Sequence, residues 1–267
     1  MDHGLNNDFL YSACRVEVGF SDSNGKTITG SGTAFFAKNK TGDICLVTNR
    51  HVLDIDYKKA TPKYKDFKLS SLVIHVKNKD ASGLPTIDNK FSIVNINEVI
   101  YHPTFENDVA CIKNLTVAKM TALNAKADYF IPYELFAEKA KLIEKLVICD
   151  LVVFPGFPEW FDKKENRPIL RTGTIASDPR YDYSFSGAFD GECVAYEAFS
   201  FSGSSGSPVF AIQKGIKVGA GLTGGNYREI MLVGINAGHL PVSSVIESHS
   251  GISYLYKSNV ILDVINK

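Results

Sequence analysis

Between residues 13 and 236 the chain is cut into short apolar runs rich in β-branched and aromatic side chains, and this pattern restricts it to an all-β design. The runs are Ala13–Phe20, Gly32–Ala37, Ile44–Thr48, Ser71–Val76, Phe91–Val99 and Ala110–Ile112, followed by Leu146–Phe154, Arg171–Ala176, Glu192–Ser200, Val209–Ile212, Ile216–Leu222 and Ile230–Asn236. Hairpin chemistry separates several of them: Ser23-Asn24-Gly25, Lys40-Thr41-Gly42-Asp43 and Thr223-Gly224-Gly225-Asn226. Many short strands with little helix between them predict sandwiches or barrels.

Two tracts break the pattern. Leu115–Lys145 is rich in Ala, Lys, Glu and Leu, and the spacing from Glu134 to Lys145 predicts a helix inside a linker. At the other end, Val260, Ile261, Val264 and Ile265 share one face of a predicted helix over 258–266. The expected organisation is an N-terminal lobe over 1–120, a helical linker over 121–145, and a C-terminal lobe over 146–267 that closes on a helix.

Composition narrows the function classes. The chain's 267 residues suit one two-lobed domain or two small ones, and 45% hydrophobic content supports a real core. Lys plus Arg balances Asp plus Glu at 29 each, so the basic footprint of a nucleic-acid binder is missing. The longest apolar stretch, Leu146–Pro155, is interrupted by Asp150 and too short to span a bilayer. The expectation is no nucleic-acid partner and no membrane. No basic region followed by an apolar run opens the sequence, so no secretory leader is read there. Cys14, Cys45, Cys111, Cys149 and Cys193 are odd in number and far apart, and Cys45 and Cys111 lie inside apolar runs, as core residues do. A reduced, cytoplasmic setting is expected. Asp22-Ser23-Asn24-Gly25 reads as a turn and not as a calcium loop, so neither metal nor other cofactor is expected.

Three segments carry chemistry. In Gly203-Ser204-Ser205-Gly206-Ser207-Pro208 a tight glycine-flanked turn offers a small nucleophile just before the apolar Val209-Phe210. Such a turn can aim the amides of Gly203 and Ser205 at one point, and each donor in an oxyanion hole is worth roughly 3 kcal/mol in a transition state. A hydroxyl needs a base, and His51 follows the apolar run Ile44–Thr48 in a polar turn, as a positioned base would. The base needs a buried carboxylate, and Asp108 opens the apolar run Val109–Ile112. His51, Asp108 and Ser205 follow in that order, 57 and 97 residues apart. The Ser, Asp/Glu, His order of α/β-hydrolases fits poorly: no histidine follows Asp263, so the acid would have to be Glu229 or Glu247, and position 207 is Ser where that turn requires Gly.

With these segments in place the chain resembles the trypsin/chymotrypsin-like serine peptidases, in particular the stand-alone bacterial HtrA-like branch without a PDZ domain. The resemblance runs through Gly30-Ser-Gly-Thr-Ala-Phe-Phe, Leu46-Val-Thr-Asn-Arg-His51-Val, His102-Pro with Asp108-Val-Ala, Phe154-Pro-Gly-Phe-Pro158, Arg171-Thr-Gly-Thr-Ile-Ala-Ser177, Gly203–Pro208 and Val233-Gly-Ile-Asn-Ala-Gly238. It implies two six-stranded antiparallel β-barrels with a site between them, and it places the nucleophile at Ser205, not at Ser204 or Ser207. It also implies a protein or peptide substrate paired along Asn236, Ala237 and Gly238. Phe199, six residues before Ser205, takes the base of the primary specificity pocket, where a ring opposes Lys or Arg and favours a small or apolar side chain. Secreted members carry Asp where this chain has Ser204, so activation by N-terminal cleavage is not expected. The expected activity is that of a serine endopeptidase working through an acyl-enzyme, with an activating or regulatory protein partner. Two alternatives stand beside it: a silent pseudoprotease acting as a protein-binding module, and an ester hydrolase using the same triad.

Overall fold

The structure, a computed structural model, describes residues 6–59, 63–120, 127–215, 227–243 and 248–267. After a short helix α1 (Asn7–Tyr11), the first half forms β1 (Ala13–Ser21), β2 (Thr27–Lys38), β3 (Ile44–Thr48), the one-turn helix α2 (Arg50–Leu53), β4 (Lys68–Lys79), β5 (Pro85–Ile93), β6 (Ile100–Tyr101), β7 (Ala110–Lys113) and β8 (Val117–Met120). After α3 (Lys139–Lys145), the second half forms β9 (Leu151–Gly156), β10 (Ile169–Ile175), β11 (Cys193–Glu197), β12 (Pro208–Ala211), β13 (Met231–Pro241) and β14 (His249–Lys257), and ends in α4 (Ser258–Ile265). The expected strand Ile216–Leu222 and the turn at 223–226 lie outside the described residues.

The second half is a closed six-stranded barrel in the order β10-β11-β14-β13-β12-β9. The first half differs from the expected second barrel. It is an eight-stranded sheet in the order β6-β7-β3-β2-β1-β4-β5-β8, and among the described residues it is not closed. The physical reason lies at its edges: β6 is only two residues long and among the described residues pairs with β7 alone, not with β8 across the gap.

Strand periodicity builds three cores. In β2, Ala34 and Phe36 enter the core of the first lobe, while Phe35 and Ala37 point the other way into a core shared by both lobes. The same split separates Leu46 from Cys45 and Val47 in β3, and Ile112 from Cys111 in β7. Strands buried on both faces read as continuous apolar runs, which is why these segments show no polar alternation. The shared core is completed by Val153, Phe210, Leu232 and Ile235 from the barrel and by the apolar face of α4. Inside the barrel, Phe154, Val194, Tyr196, Val233 and Leu255 form the third core. All five cysteines are free, and all but Cys149 are buried.

The linker is less helical than its composition predicts. A 3-10 turn spans Tyr133–Leu135, the chain then extends, and only Lys139–Lys145 is α-helix; residues 121–126 lie outside the described ones. Tertiary pairing overrides the helical spacing here. Ile131 bridges Ala37, Phe136 bridges Leu232, and Ala137 N–H donates to Leu232 O, so the linker lies extended against both lobes. Among the described residues no helix is long and apolar enough to cross a membrane.

Candidate active site

Strand register brings the first two site residues together. β3 and β7 pair antiparallel with Thr48 opposite Ala110, so the residues just beyond β3 meet those just before β7. Asn49, fully buried, donates from Nδ2 to the carbonyl of Asp108 at 2.7 Å. Asp108 accepts from His51 twice, from the backbone N–H at Oδ1 (2.9 Å) and from Nδ1–H at Oδ2 (2.5 Å). A carboxylate can only accept, so the ring proton sits on Nδ1 and leaves Nε2 with its lone pair. Burial works against a charged imidazole, but the charge and hydrogen bond of Asp108 outweigh it and hold His51 above the usual histidine pKa. Lys58 and Lys59 pull weakly the other way. Arg50 steadies this turn from behind, ion-paired to Asp54 and packed on the rings of Tyr57, Tyr101 and Phe105 at 4.6–5.0 Å.

Ser205 comes from the other lobe, on the turn between β11 and β12. Gly203 and Gly206 both have φ of +90°, a conformation that only glycine adopts cheaply. At Gly206 there is no alternative, because a Cβ there would lie 1.8 Å from Thr33 O. Of the turn's central serines, Ser204 and Ser207 are buried (1% and 0% exposed), whereas Ser205 is partly open. Its Oγ donates to Ala237 O at 3.1 Å; among the described residues it makes no hydrogen bond to His51.

Thr33, on β2, ties the turn to the first lobe. Its N–H donates to Ser205 O (2.9 Å) and its Oγ1 to Gly203 O (2.7 Å), while Oγ1 accepts from Phe157 N–H (3.0 Å). Thr48 Oγ1 in turn donates to Thr33 O at 2.8 Å. Among the described residues neither Gly203 N–H nor Ser205 N–H donates to a protein acceptor, so both amides predicted for an oxyanion hole are uncommitted.

The residues predicted to meet a substrate divide into two groups. Ala237 and Gly238 lie on β13 at an irregularity in its pairing with β14, and Ala237 O is the acceptor that Ser205 uses. Asn236 lies beneath the nucleophile turn with its side chain wholly buried: Gly206 N–H donates to its carbonyl, its own N–H donates to Ser207 O, and its Nδ2 donates to Ser204 O. It therefore faces the turn and not the solvent. Phe199 is 54% exposed, with His249 at 5.0 Å and Phe201 at 6.4 Å between ring centroids.

Several residues at the site carry no sequence signal. His239 and His249 stack at 4.2 Å, and burial first, then the neighbouring ring, push His249 down to about 4. Phe201 is covered by Trp160 and by the Arg171 guanidinium, both at 4.6 Å. These side chains come from separate segments, so no local spacing could have grouped them. Asn107 is different. It sits beside Asp108 and accepts from Glu192 N–H at 2.8 Å, fastening the barrel's 176–192 loop to the first lobe, and an Asn directly before the acid was a visible candidate.

The arrangement can supply a neutral imidazole base, an accessible hydroxyl and two free amides at one seam. By sequence, the chain matches no family profile and no curated protein. Among solved structures it is similar to the HtrA-type protease AlgW, solved with a decapeptide, at a TM-score of 0.52 and 12% identity over 96% of this chain and 63% of that one. Deg5 superposes at a TM-score of 0.49 and 14% identity, over 96% of this chain and 89% of that one. This chain thus spans less than two thirds of the length of AlgW. With a closed six-stranded barrel, a second β-lobe and the candidate residues at the seam between them, the chain has the trypsin-like serine peptidase fold.

Proposed function

We propose that this chain is a serine endopeptidase. The observation that carries the reading is the doubly held His51–Asp108 pair, whose Nδ1–H is fixed and whose Nε2 is left as a base at the seam where Ser205 is partly open. Ser205 Oγ attacks a substrate carbonyl as its proton passes to His51 Nε2. The tetrahedral oxyanion is held by Gly203 N–H and Ser205 N–H. Collapse expels the amine, which takes the proton from His51, and leaves an acyl-Ser205 ester. Water, deprotonated by His51, then releases the acid. Asp108 keeps its charge throughout and stabilises the imidazolium.

A substrate strand is proposed to pair along Ala237–Gly238, with Ala237 O passing from Ser205 Oγ to a substrate N–H. In the same reading the eight-stranded sheet corresponds to the first barrel of the fold, and Phe199 borders the primary pocket. AlgW of the same fold was solved with a decapeptide, and an extended peptide is the ligand class proposed here.

A second reading, a silent binding module, is favoured by one observation: Ser205 Oγ is bonded to Ala237 O and not to His51. In that state an activating protein partner would have to turn the hydroxyl.

Intact-mass labelling with a fluorophosphonate separates the readings. The peptidase reading expects one adduct on wild type and on Ser207→Ala, and none on Ser205→Ala. Labelling absent from all three supports the binding module. Turnover of a peptide panel separates the peptidase from an ester hydrolase, which turns over a small-ester panel alone; Ser205→Ala is expected to cost about 10⁴-fold or more.

A further inference from the structure

The oxyanion amide at Ser205 is only as good as the orientation of the peptide that carries it. In a trans peptide the C=O and the following N–H point in opposite directions, so whatever grips Ser204 O decides where Ser205 N–H points. Two donors hold Ser204 O: Asn236 Nδ2 at 2.9 Å and Ser207 N–H at 3.1 Å. The second is an ordinary turn bond between residues three apart. The first comes from a different strand.

Asn236 is itself braced. Tyr196 Oη donates to Asn236 Oδ1 at 2.6 Å, and both side chains are completely buried. That bond also fixes which end of the carboxamide faces Ser204, because only Nδ2 can donate to a carbonyl. The tyrosine is held in turn by an edge-to-face contact with Phe154, ring centroids 5.5 Å apart, in the barrel core. The peptide's own side chain adds nothing to this grip, because the buried Ser204 Oγ has no hydrogen-bond partner among the described residues.

We propose that Asn236, braced by Tyr196, is a positioning residue that locks the Ser204–Ser205 peptide with its N–H turned outward to the reacting carbonyl, so that the hole is formed without any outside charge. This rests on the hydrolase reading, but it has a readout of its own.

The test uses Asn236→Leu, which cannot donate, and Tyr196→Phe, which loses only the hydroxyl, with the fluorophosphonate as probe. In wild type the saturating labelling rate reports the hole, and the half-saturating concentration reports probe binding. Loss of an oxyanion donor costs about 10²–10³-fold, so Asn236→Leu is expected to lower the saturating rate by about 10²-fold with half-saturation little changed. Tyr196→Phe alone should lower it several-fold, and should do nothing further in the Asn236→Leu background. Equal losses from Tyr196→Phe in both backgrounds would overturn the brace. If wild type does not label, the hydrolase reading fails, and the lock is judged by crystallography of Asn236→Leu, or of Tyr196→Phe where the first does not fold. A turned Ser204–Ser205 peptide supports the lock; an unchanged one overturns it.

Discussion

Replacing Asp108 with asparagine exchanges one oxygen for an NH₂ group and tests the whole of the base. Asp108 accepts from His51 N–H and Nδ1–H together, and Asn49 holds its carbonyl. An asparagine keeps the shape but has only one accepting atom. If its Oδ1 goes on taking the backbone N–H, its NH₂ faces Nδ1, and Nδ1 must then offer a lone pair. The ring proton moves to Nε2, the atom that has to receive a proton from Ser205. Loss of the right tautomer in such a triad is worth about four decades in rate, roughly 5.5 kcal/mol of barrier. Charge adds a second consequence. In wild type, burial opposes the imidazolium but Asp108 outweighs it, and His51 titrates above its ordinary 6.5. The base works only when neutral, so labelling rises with pH through that raised value and then levels off. Without the carboxylate, burial and the two lysines act unopposed, and the inflection moves to lower pH. The assay is the fluorophosphonate labelling rate of both proteins across the range in which histidine titrates, with a denaturation midpoint to show that the variant folds. A variant within about tenfold of wild type, or an inflection that does not move, refutes the assignment of the base.

Three further outcomes are expected. Gly206→Ala forces a Cβ against the Thr33 carbonyl at a positive φ, so urea unfolding should show a loss of about 2–5 kcal/mol; an unchanged midpoint would mean that the turn is not built this way. Thr33→Val strips the partner from Gly203 O and Phe157 N–H and should slow labelling while Thr33→Ser does not; equal rates in all three proteins would remove Thr33 from the site. Asp150→Asn tests a buried pair. Burial opposes the Asp150 charge, but Val147 N–H, Lys214 and Arg228 outweigh it and hold its pKa below the ordinary value. Its contribution is therefore complete above the unfolded value near 3.9 and is lost as pH falls through the folded one. The stability gap between wild type and variant, about 3–5 kcal/mol at neutral pH, should close in acid, and a gap independent of pH would contradict the assignment.

What could be read from the sequence follows from how local each signal is. His51, Asp108 and Ser205 stood out because each lies at the end of an apolar run, and the runs proved to be β3, β7 and β12 with only small shifts. β14 was missed, because His249-Ser250-Gly251 at its start has the composition of a turn, and only pairing with β11 and β13 makes it a strand. The linker misled in the opposite sense: helical spacing was real, but backbone bonds to Ala37 and Leu232 extended it. Asn236 was grouped with Ala237 and Gly238 as a substrate-pairing strand on the resemblance alone, which could not register that its backbone N–H and C=O are bonded to Ser207 and Gly206 of the nucleophile turn. The cluster of Trp160, Arg171, Phe201, His239 and His249 was beyond reach, because no two neighbouring positions share it.

Thr33 shows why the seam between lobes matters more than either lobe alone. It sits on β2, one residue before Ala34 in the first lobe's core and two before Phe35 in the shared core, yet its N–H and hydroxyl bond to Gly203, Ser205 and Phe157 of the barrel. The turn that carries the nucleophile is thus held from the first lobe through Thr33 and from the barrel through Asn236. Its geometry is right only when both lobes sit in one relative position. That position is set by the shared core, to which α4 contributes Val260, Ile261, Leu262, Val264 and Ile265. A cavity cut there, as in Ile261→Ala, should cost about 2–5 kcal/mol in stability. It should also slow labelling of Ser205 under conditions where the variant is still folded. A cavity inside the barrel, as in Val233→Ala, should lower stability and leave labelling unchanged while the protein is folded. If the two variants lose labelling in proportion to stability alone, the lobes do not act on the site through Thr33, and the seam is only a place where two cores meet.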